Sequence, residues 1–438
     1  MSKELIKSIV LTILVFISCF MTWNIWTYLP NMNEIKQQPD ILSDVTISNK
    51  QQIEAIVQPI KIFFHNGNKH YGSNLDIEIA SVMEEVSAWN FSDYKDVSNT
   101  VLDDFQGFLN KSSTTELIFP DSVPLSAYKK VISISDKDIS DVNFDRILIR
   151  SSSDDHHIYF VDTENRKVYR FYVDVDSVKE FSEDMIERSK SYQLYSVTQL
   201  NQNKNIYLPI ESTKINSYKY LVEPNDVKKF RDALFSDPNF VTQKETARGE
   251  RYSDVLSSMN VYEDTMMLSF INPTQKKNSN YTLTELLEKS IEFINDHSGW
   301  DDNFRFDSIV QENQKATYRL YMNSLPVFNN SGMSEIVQVW ATDDIYSYNR
   351  PYFTFRVPVP SGTSEIMISS GEEALEKLIN IDGINVDSVE DLTVGYGLTR
   401  DSKEGRLVSL EPGWFYKYDG QWKSLNSMIV EVFPDGME

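Results

Sequence analysis

Residues 8–28, SIVLTILVFISCFMTWNIWTY, form the one long apolar run of this 438-residue chain. About 20 apolar residues in a helix cross the hydrocarbon core of a bilayer. Lys3 and Lys7 precede the run, and the next basic residue is Lys36. Positive charge stays on the cytoplasmic side, so residues 1–7 are expected inside and residues 29–438 outside. Trp23, Trp26 and Tyr28 then fall at the outer interface. A removable signal has a shorter apolar core and ends at a small-residue site. This run ends in Trp-Asn-Ile-Trp-Thr-Tyr-Leu-Pro, and Cys19 is followed by more apolar residues, not by a polar mature start. The expectation is a retained single-pass anchor; a cleaved or lipid-anchored form is the alternative.

At 100° per residue, Ser8, Thr12, Val15, Cys19, Thr22 and Trp26 share one sector of that helix. Small and weakly polar side chains on one face let membrane helices approach closely and hydrogen-bond. This face is the expected partner-contact surface. The bland alternative is that Ser and Thr simply bond their own helix backbone.

The chain carries 42 Lys and Arg against 65 Asp and Glu, a formal charge of −23. Such acidity argues against nucleic acid and against flat adhesion to anionic lipid. With 41% hydrophobic residues, the extracytoplasmic part can bury real cores. Cys19 is the sole cysteine, so no intramolecular disulfide forms. A long exported chain without disulfides points to a Gram-positive surface.

The pattern predicts an α+β protein. Residues 1–7 form a cytoplasmic tail, 8–28 the membrane helix and 29–52 a polar stalk. An N-terminal extracytoplasmic domain is expected over 53–191, a central α+β domain over 192–280 and a C-terminal α+β domain over 281–438. In the first, Lys61–His65 reads as a strand, and helical spacing runs from Leu75 to Trp89 and again from Val101 to Phe108. Thr115–Phe119 reads as a strand stopped by Pro120. Ile158–Val161 and Val168–Val175 read as a hairpin, and Val178–Ser189 as a helix. Pro273-Thr-Gln-Lys-Lys-Asn-Ser-Asn reads as a domain boundary. Beyond it, Thr282-Leu-Thr-Glu285 and Ser370-Gly-Glu-Glu373 are both capping-box sequences. Apolar positions and strand-like runs follow each in step, which predicts two helix-plus-three-strand units with mainly antiparallel strands. Coincidence among common patterns is the alternative.

Catalytic signatures are scarce. The five histidines are His65, His70, His156, His157 and His297, and no H-E-x-x-H, G-x-S-x-G, Walker loop or G-x-G-x-x-G occurs. Asp154-Asp155-His156-His157 has metal-capable atoms but reads as a solvated loop. Asp136, Asp138 and Asp141 have EF-hand-like spacing, without the required Gly. The residues therefore support neither a catalytic site, nor a cofactor, nor a metal. Carboxylate pairs are uninformative in so acidic a chain.

The chain resembles the YycH (WalH) family, accessory proteins of the WalK–WalR (YycG–YycF) two-component system. The resemblance rests on the anchor from Ile6 to Leu14 and its end at Thr22–Tyr28, and on Val57-Gln-Pro59-Ile60 leading to His65 and Tyr71-Gly72. It continues through Glu250–Asp254, Asn272-Pro273, Ile291–Trp300, Leu325–Phe328 and Tyr348–Pro351. Val255 stands where the family pattern has Gly, which puts the turn there in question. The resemblance implies a non-enzymatic membrane protein with a three-domain ectodomain, its later part similar to YycI and to PepSY-like modules. It also implies association with the kinase WalK and with YycI through transmembrane helices, and so control of cell-wall metabolism. A surface-anchored chaperone or ligand-binding protein is the rival class, and an anchored hydrolase a weaker one.

Overall fold

The computed structural model describes Val15 and Ser18 and, within 50–426, all residues but 137–138, 140–141, 151–156, 201–204, 276–279, 298, 343 and 402–404. The chain divides into two compact units, Met1–Asp44 and Val45–Glu438, and the architecture below is that of the second. Most of the anchor lies outside the described residues. Of its expected contact face, Ser8, Thr12, Cys19, Thr22 and Trp26 lie outside them, while Val15 is helical and exposed. Among the described residues no helix is long and apolar enough to cross a membrane. Asp138, Asp141, Asp154, Asp155 and His156 also lie outside them.

Ten strands build a first sheet: β1 Lys61–Asn66, β2 Lys69–Ser73, β3 Asn90–Asp96, β4 Thr114–Pro124, β5 Ser133–Ile134, β6 Asn143–Arg150, β7 His157–Asp162, β8 Lys167–Tyr172, β9 Gln193–Gln199 and β10 Asn205–Pro209. Their spatial order is β10-β9-β2-β1-β4-β6-β7-β8-β3-β5. Pairing is antiparallel except between β3 and β5. Side chains of a strand alternate between faces. Ile147, Ile149, Ile158 and Phe160 accordingly enter a core shared with the helices Asp76–Ser87 and Val175–Ser189. Leu148, Tyr159 and Val161 enter a smaller cluster with Phe105 and Leu109 on the other face. This two-sided burial explains why β6 and β7 are near-continuous apolar runs.

Local departures have physical causes. β4 does not stop at Pro120; its register with β6 shifts between Ile118 and Val123, so the proline sits where no ladder amide is needed. Val101–Phe108 is not one helix but short turns, Ser98–Val101, a 3-10 turn Leu102–Asp104 and Phe105–Leu109. The Asp104 carboxylate caps the last of these through the Gly107 amide. Residues 193–209, grouped with the central segment in the sequence reading, supply β9 and β10 to the first sheet.

A second sheet has β11 Thr213–Pro224, β12 Thr242–Thr246, β13 Gly249–Ser253, β14 Ser258–Tyr262, β15 Met267–Ile271, β16 Phe304–Val310, β17 Lys315–Met322, β18 Leu325–Phe328, β19 Glu335–Trp340, β20 Ile345–Pro351, β21 Phe353–Pro358, β22 Ser364–Ile368, β23 Val389–Arg400, β24 Leu407–Tyr418 and β25 Gln421–Ser424. Its path is β12-β13-β14-β15-β20-β19-β17-β18-β23-β24-β11-β21. β15 pairs with β20, and β11 with β24, so the sheet runs on across the 273–280 segment. Strands β19 to β22 have no counterpart in the sequence reading.

The helix Leu283–Asp296 is followed by the hairpin β16–β17 and then β18; the helix Gly371–Ile379 is followed by the hairpin β23–β24 and then β25. Thr282 and Glu285 form a complete capping box, whereas at Ser370 the hydroxyl accepts the Glu373 amide without the reciprocal arm. At the questioned turn, Asp254 Oδ1 accepts the amides of Leu256 and Ser257. Val255 is 97% exposed and is not among the residues with positive φ, so no glycine is required there.

Candidate functional site

A cleft of about 400 Å³ opens where the two sheets face each other. The first sheet contributes Lys61 from β1, Tyr195 from β9 and Tyr207 from β10. The second contributes Arg319 and Tyr321 from β17, Phe328 from β18, Glu390–Val394 from β23 and Trp422 from β25. Charged bonds tie the sheets around it. Arg305 Nη1 and Nη2 donate to the Asp76 carboxylate at 2.9 and 2.7 Å, a bidentate pair. Asp121 Oδ2 accepts the Ile309 amide at 3.0 Å, and burial pushes that carboxyl up to about 6. Within the cleft, Lys61 Nζ donates to Thr393 Oγ1 at 3.3 Å.

The cleft's carboxylates are all engaged. Asp307 receives two N–H groups of Arg319, at 2.7 and 3.1 Å. Arg319 also reaches Glu335 at 2.7 Å and lies over the Phe328 ring. Glu390 lies 3.5 Å from Lys417 Nζ, and Asp391 Oδ1 accepts the Leu392 amide at 2.8 Å.

Beneath the cleft's first-sheet wall runs a buried chain of polar groups. Glu116, fully buried on β4, accepts from His65 Nε2 at 3.0 Å and from the Tyr207 hydroxyl at 2.5 Å, and also pairs with Arg146. Burial alone would raise the Glu116 carboxyl, but Arg146 and the His65 bond outweigh it and hold it at about 2. Burial and the adjacent Glu116 push the Tyr207 hydroxyl well up. His65 Nδ1 lies 2.7 Å from His70 Nδ1. One of these two ring nitrogens donates and the other accepts. Burial, followed by His65, lowers His70 to about 4.

A second buried centre lies behind the C-terminus of the Leu283–Asp296 helix. Arg350 is fully buried and donates to Asp301 at 2.6 Å, Gly299 O at 2.7 Å and the Tyr348 hydroxyl at 3.0 Å. His297 Nε2 lies 3.0 Å from the same hydroxyl and is lowered to about 3 by burial and Arg350. Burial and the neighbouring Asp301 raise Asp302 to about 8. His157 stands apart, at the start of β7. Among the described residues, no group of three or more His, Cys, Asp or Glu side chains is placed to hold a metal.

Ile60, Lys61, Leu75, Pro120, Leu325, Pro326 and Phe328 line the cleft and figure in the sequence reading, but only as strand, helix, breaker or family-motif residues, none as a site residue. A signal existed in Tyr318–Met322: Arg319 interrupts an aromatic and apolar run, and a buried arginine must have acidic partners.

Residues 4–193 match the family model described as YycH protein, N-terminal domain, and residues 203–431 that described as YycH protein, C-terminal domain. The Two-component system WalR/WalK regulatory protein YycH of Bacillus subtilis (strain 168) is 26% identical over 440 residues, covering 96% of each chain. The crystal structure of YycH from Bacillus subtilis matches with a TM-score of 0.75 at 22% identity, over 87% of this chain and 98% of that one; the two share a fold.

Proposed function

The chain belongs to the YycH family, and from that premise we propose that it is a non-enzymatic regulator of a WalR/WalK two-component system. It sits in the cell membrane by the single helix 8–28, with residues 29–438 outside. It associates with the sensor kinase WalK and with YycI mainly through that helix, and so adjusts cell-wall metabolism. The observation that carries the reading is end-to-end similarity to a protein named as a WalR/WalK regulator, 96% of each chain being covered. The run 8–28, apolar with small and weakly polar side chains on one face, suits association through helix contacts in the bilayer.

Purification of the full-length chain from membranes tests this. The kinase and YycI are expected to co-purify with it, and to be lost when residues 8–28 are replaced by an unrelated apolar span. A folded, membrane-inserted chain that retains neither partner would overturn the reading.

A further inference from the structure

β1 sets His65 opposite His70 of β2, and β2 sets His70 opposite Tyr195 of β9, so the three side chains share one face of the first sheet. That face carries the cleft wall. Phe63 meets Tyr195 edge-on at 5.0 Å and stacks on Tyr207 at 4.0 Å, and both tyrosines line the cleft. His65 is fully buried and tied at both nitrogens, to Glu116 and to His70. His70 is half-buried.

The contact between the two Nδ1 atoms, at 2.7 Å, holds one proton and no more. A nitrogen that carries a proton needs a lone pair opposite it, and two N–H groups cannot face each other at that distance. One added proton leaves the bond intact, because a protonated ring still donates to a neutral one. A second makes both nitrogens donors and both rings cations. The groups around the pair do not compensate for that. Glu116 is already shared by His65, the Tyr207 hydroxyl and Arg146. Arg150 adds a further cation on the same face, across Thr114 from His65. Tyr195 and Tyr207 stay neutral, since burial raises the first to about 12, and burial with Glu116 raises the second well up. Burial and then His65 keep the His70 proton off until about pH 4.

His70 is the ring with room to move, because it alone of the two is partly open to solvent. β9 is paired to β2 through three residue pairs, of which His70–Tyr195 is one. Among the described residues β10 pairs with β9 alone.

We propose that the His65–His70 contact is a proton-operated latch on the cleft wall. It is closed while either ring is neutral. It opens when both are protonated, which turns His70 outward and loosens the β9–β10 ribbon that bears Tyr195 and Tyr207.

The test uses the full-length chain in detergent, labelled with 13C at histidine Cε1, with the five histidines assigned through single His→Gln variants. His65 and His70 are expected to take up protons in two coupled steps. His70→Gln, whose amide donates or accepts but is never a cation, is expected to leave His65 a single step. Hydrogen exchange reads the latch. With the second step complete, the segment Gln193–Gln199 is expected to exchange about tenfold or more faster in the parent than in His70→Gln at the same pH, with β6 and β7 equally protected in both. Three outcomes would each overturn the proposal: His65 and His70 titrating independently of one another, equal exchange of the 193–199 segment in parent and variant, or an acceleration that extends to β6 and β7, which would be general unfolding.

Discussion

Asn295 holds Gln51 by both of its main-chain groups: its Oδ1 accepts the Gln51 amide at 2.8 Å and its Nδ2 donates to the Gln51 carbonyl at 2.9 Å. Trp300 Nε1 donates to the same Oδ1 at 3.0 Å. The chain therefore enters the folded region pinned to the end of the Leu283–Asp296 helix, although the strand that follows, β1, belongs to the other sheet. Asn295→Ala removes these bonds at once. We expect a loss of about 1–3 kcal/mol in urea unfolding, and faster hydrogen exchange at the Gln51 amide. Unchanged exchange there would show that the clamp does not hold the entry segment.

On the anchor, replacing Thr12, Cys19 and Thr22 together by Leu is expected to weaken association with the kinase and YycI helices by about tenfold or more, given interhelical contacts of roughly 0.6–2 kcal/mol. The same change at Val10, Ile17 and Met21 is expected to do little. Crosslinking between full-length proteins reads the effect. Equal loss from both faces would place the contact elsewhere.

Acid sensitivity has two resolvable limbs. His70 is lowered from 6.5 to about 4, so the unfolded chain takes up its proton first and stability falls as pH drops from 6.5 to 4. Glu116 is lowered from 4.5 to about 2, so its contribution is present above 4.5 and lost as pH falls towards 2. His70→Gln should reduce the first limb, whose remainder belongs to His297, lowered to about 3 by burial and Arg350, and should leave the second. Glu116→Gln strips the buried Arg146 of its main partner and should cost about 3–5 kcal/mol at neutral pH. Urea midpoints across pH check both.

Asp302 acts in the opposite sense. Its folded pKa is raised from 3.8 to about 8, so the protonated form's stabilisation is complete below 3.8 and lost as pH rises through 8. Asp302→Asn should gain on the parent steadily over that window and run parallel above it. A stability difference constant with pH would show that the carboxyl is ionised throughout.

Gly395 marks where β18 crosses β23. A Cβ there would lie 2.6 Å from the Pro326 carbonyl oxygen and 2.5 Å from the Phe328 ring. Gly395→Ala should push β18 from its two-residue parallel pairing and cost about 1–3 kcal/mol. The resonance of Trp422, whose ring centroid lies 4.7 Å from that of Phe328, should move. An unaltered melt with an unmoved Trp422 signal would contradict this.

Much of the local structure was legible. Thr282 and Glu285 announce a helix start because the cap is satisfied by residues three apart, with no tertiary help. Lys61–His65, Ile158–Val161 and Val178–Ser189 appear close to the predicted places because burial imposes the strand and helix periods on adjacent residues. Pro120 misled because a proline ends a strand only where its missing amide would have been paired. Val101–Phe108 misled because helical spacing says nothing of whether the turns connect.

Apart from Arg319, nothing in the sequence pointed to the cleft. Tyr195 and Trp422 lie 227 positions apart (422 − 195), and nothing near either marks it as a wall of one recess. What the sequence by itself determined was the apolar run 8–28, the helix caps at Thr282 and Ser370 and several strand segments, since each depends on neighbours within a few residues. What the tertiary structure alone decided was strand order: that β9 and β10 close the first sheet, that β15 and β20 carry the second across a polar stretch, and that among the described residues β23 pairs only with β18 and β24. Strand pairing is a contest among distant segments of similar intrinsic preference, settled by which faces bury together, so no local pattern records its outcome.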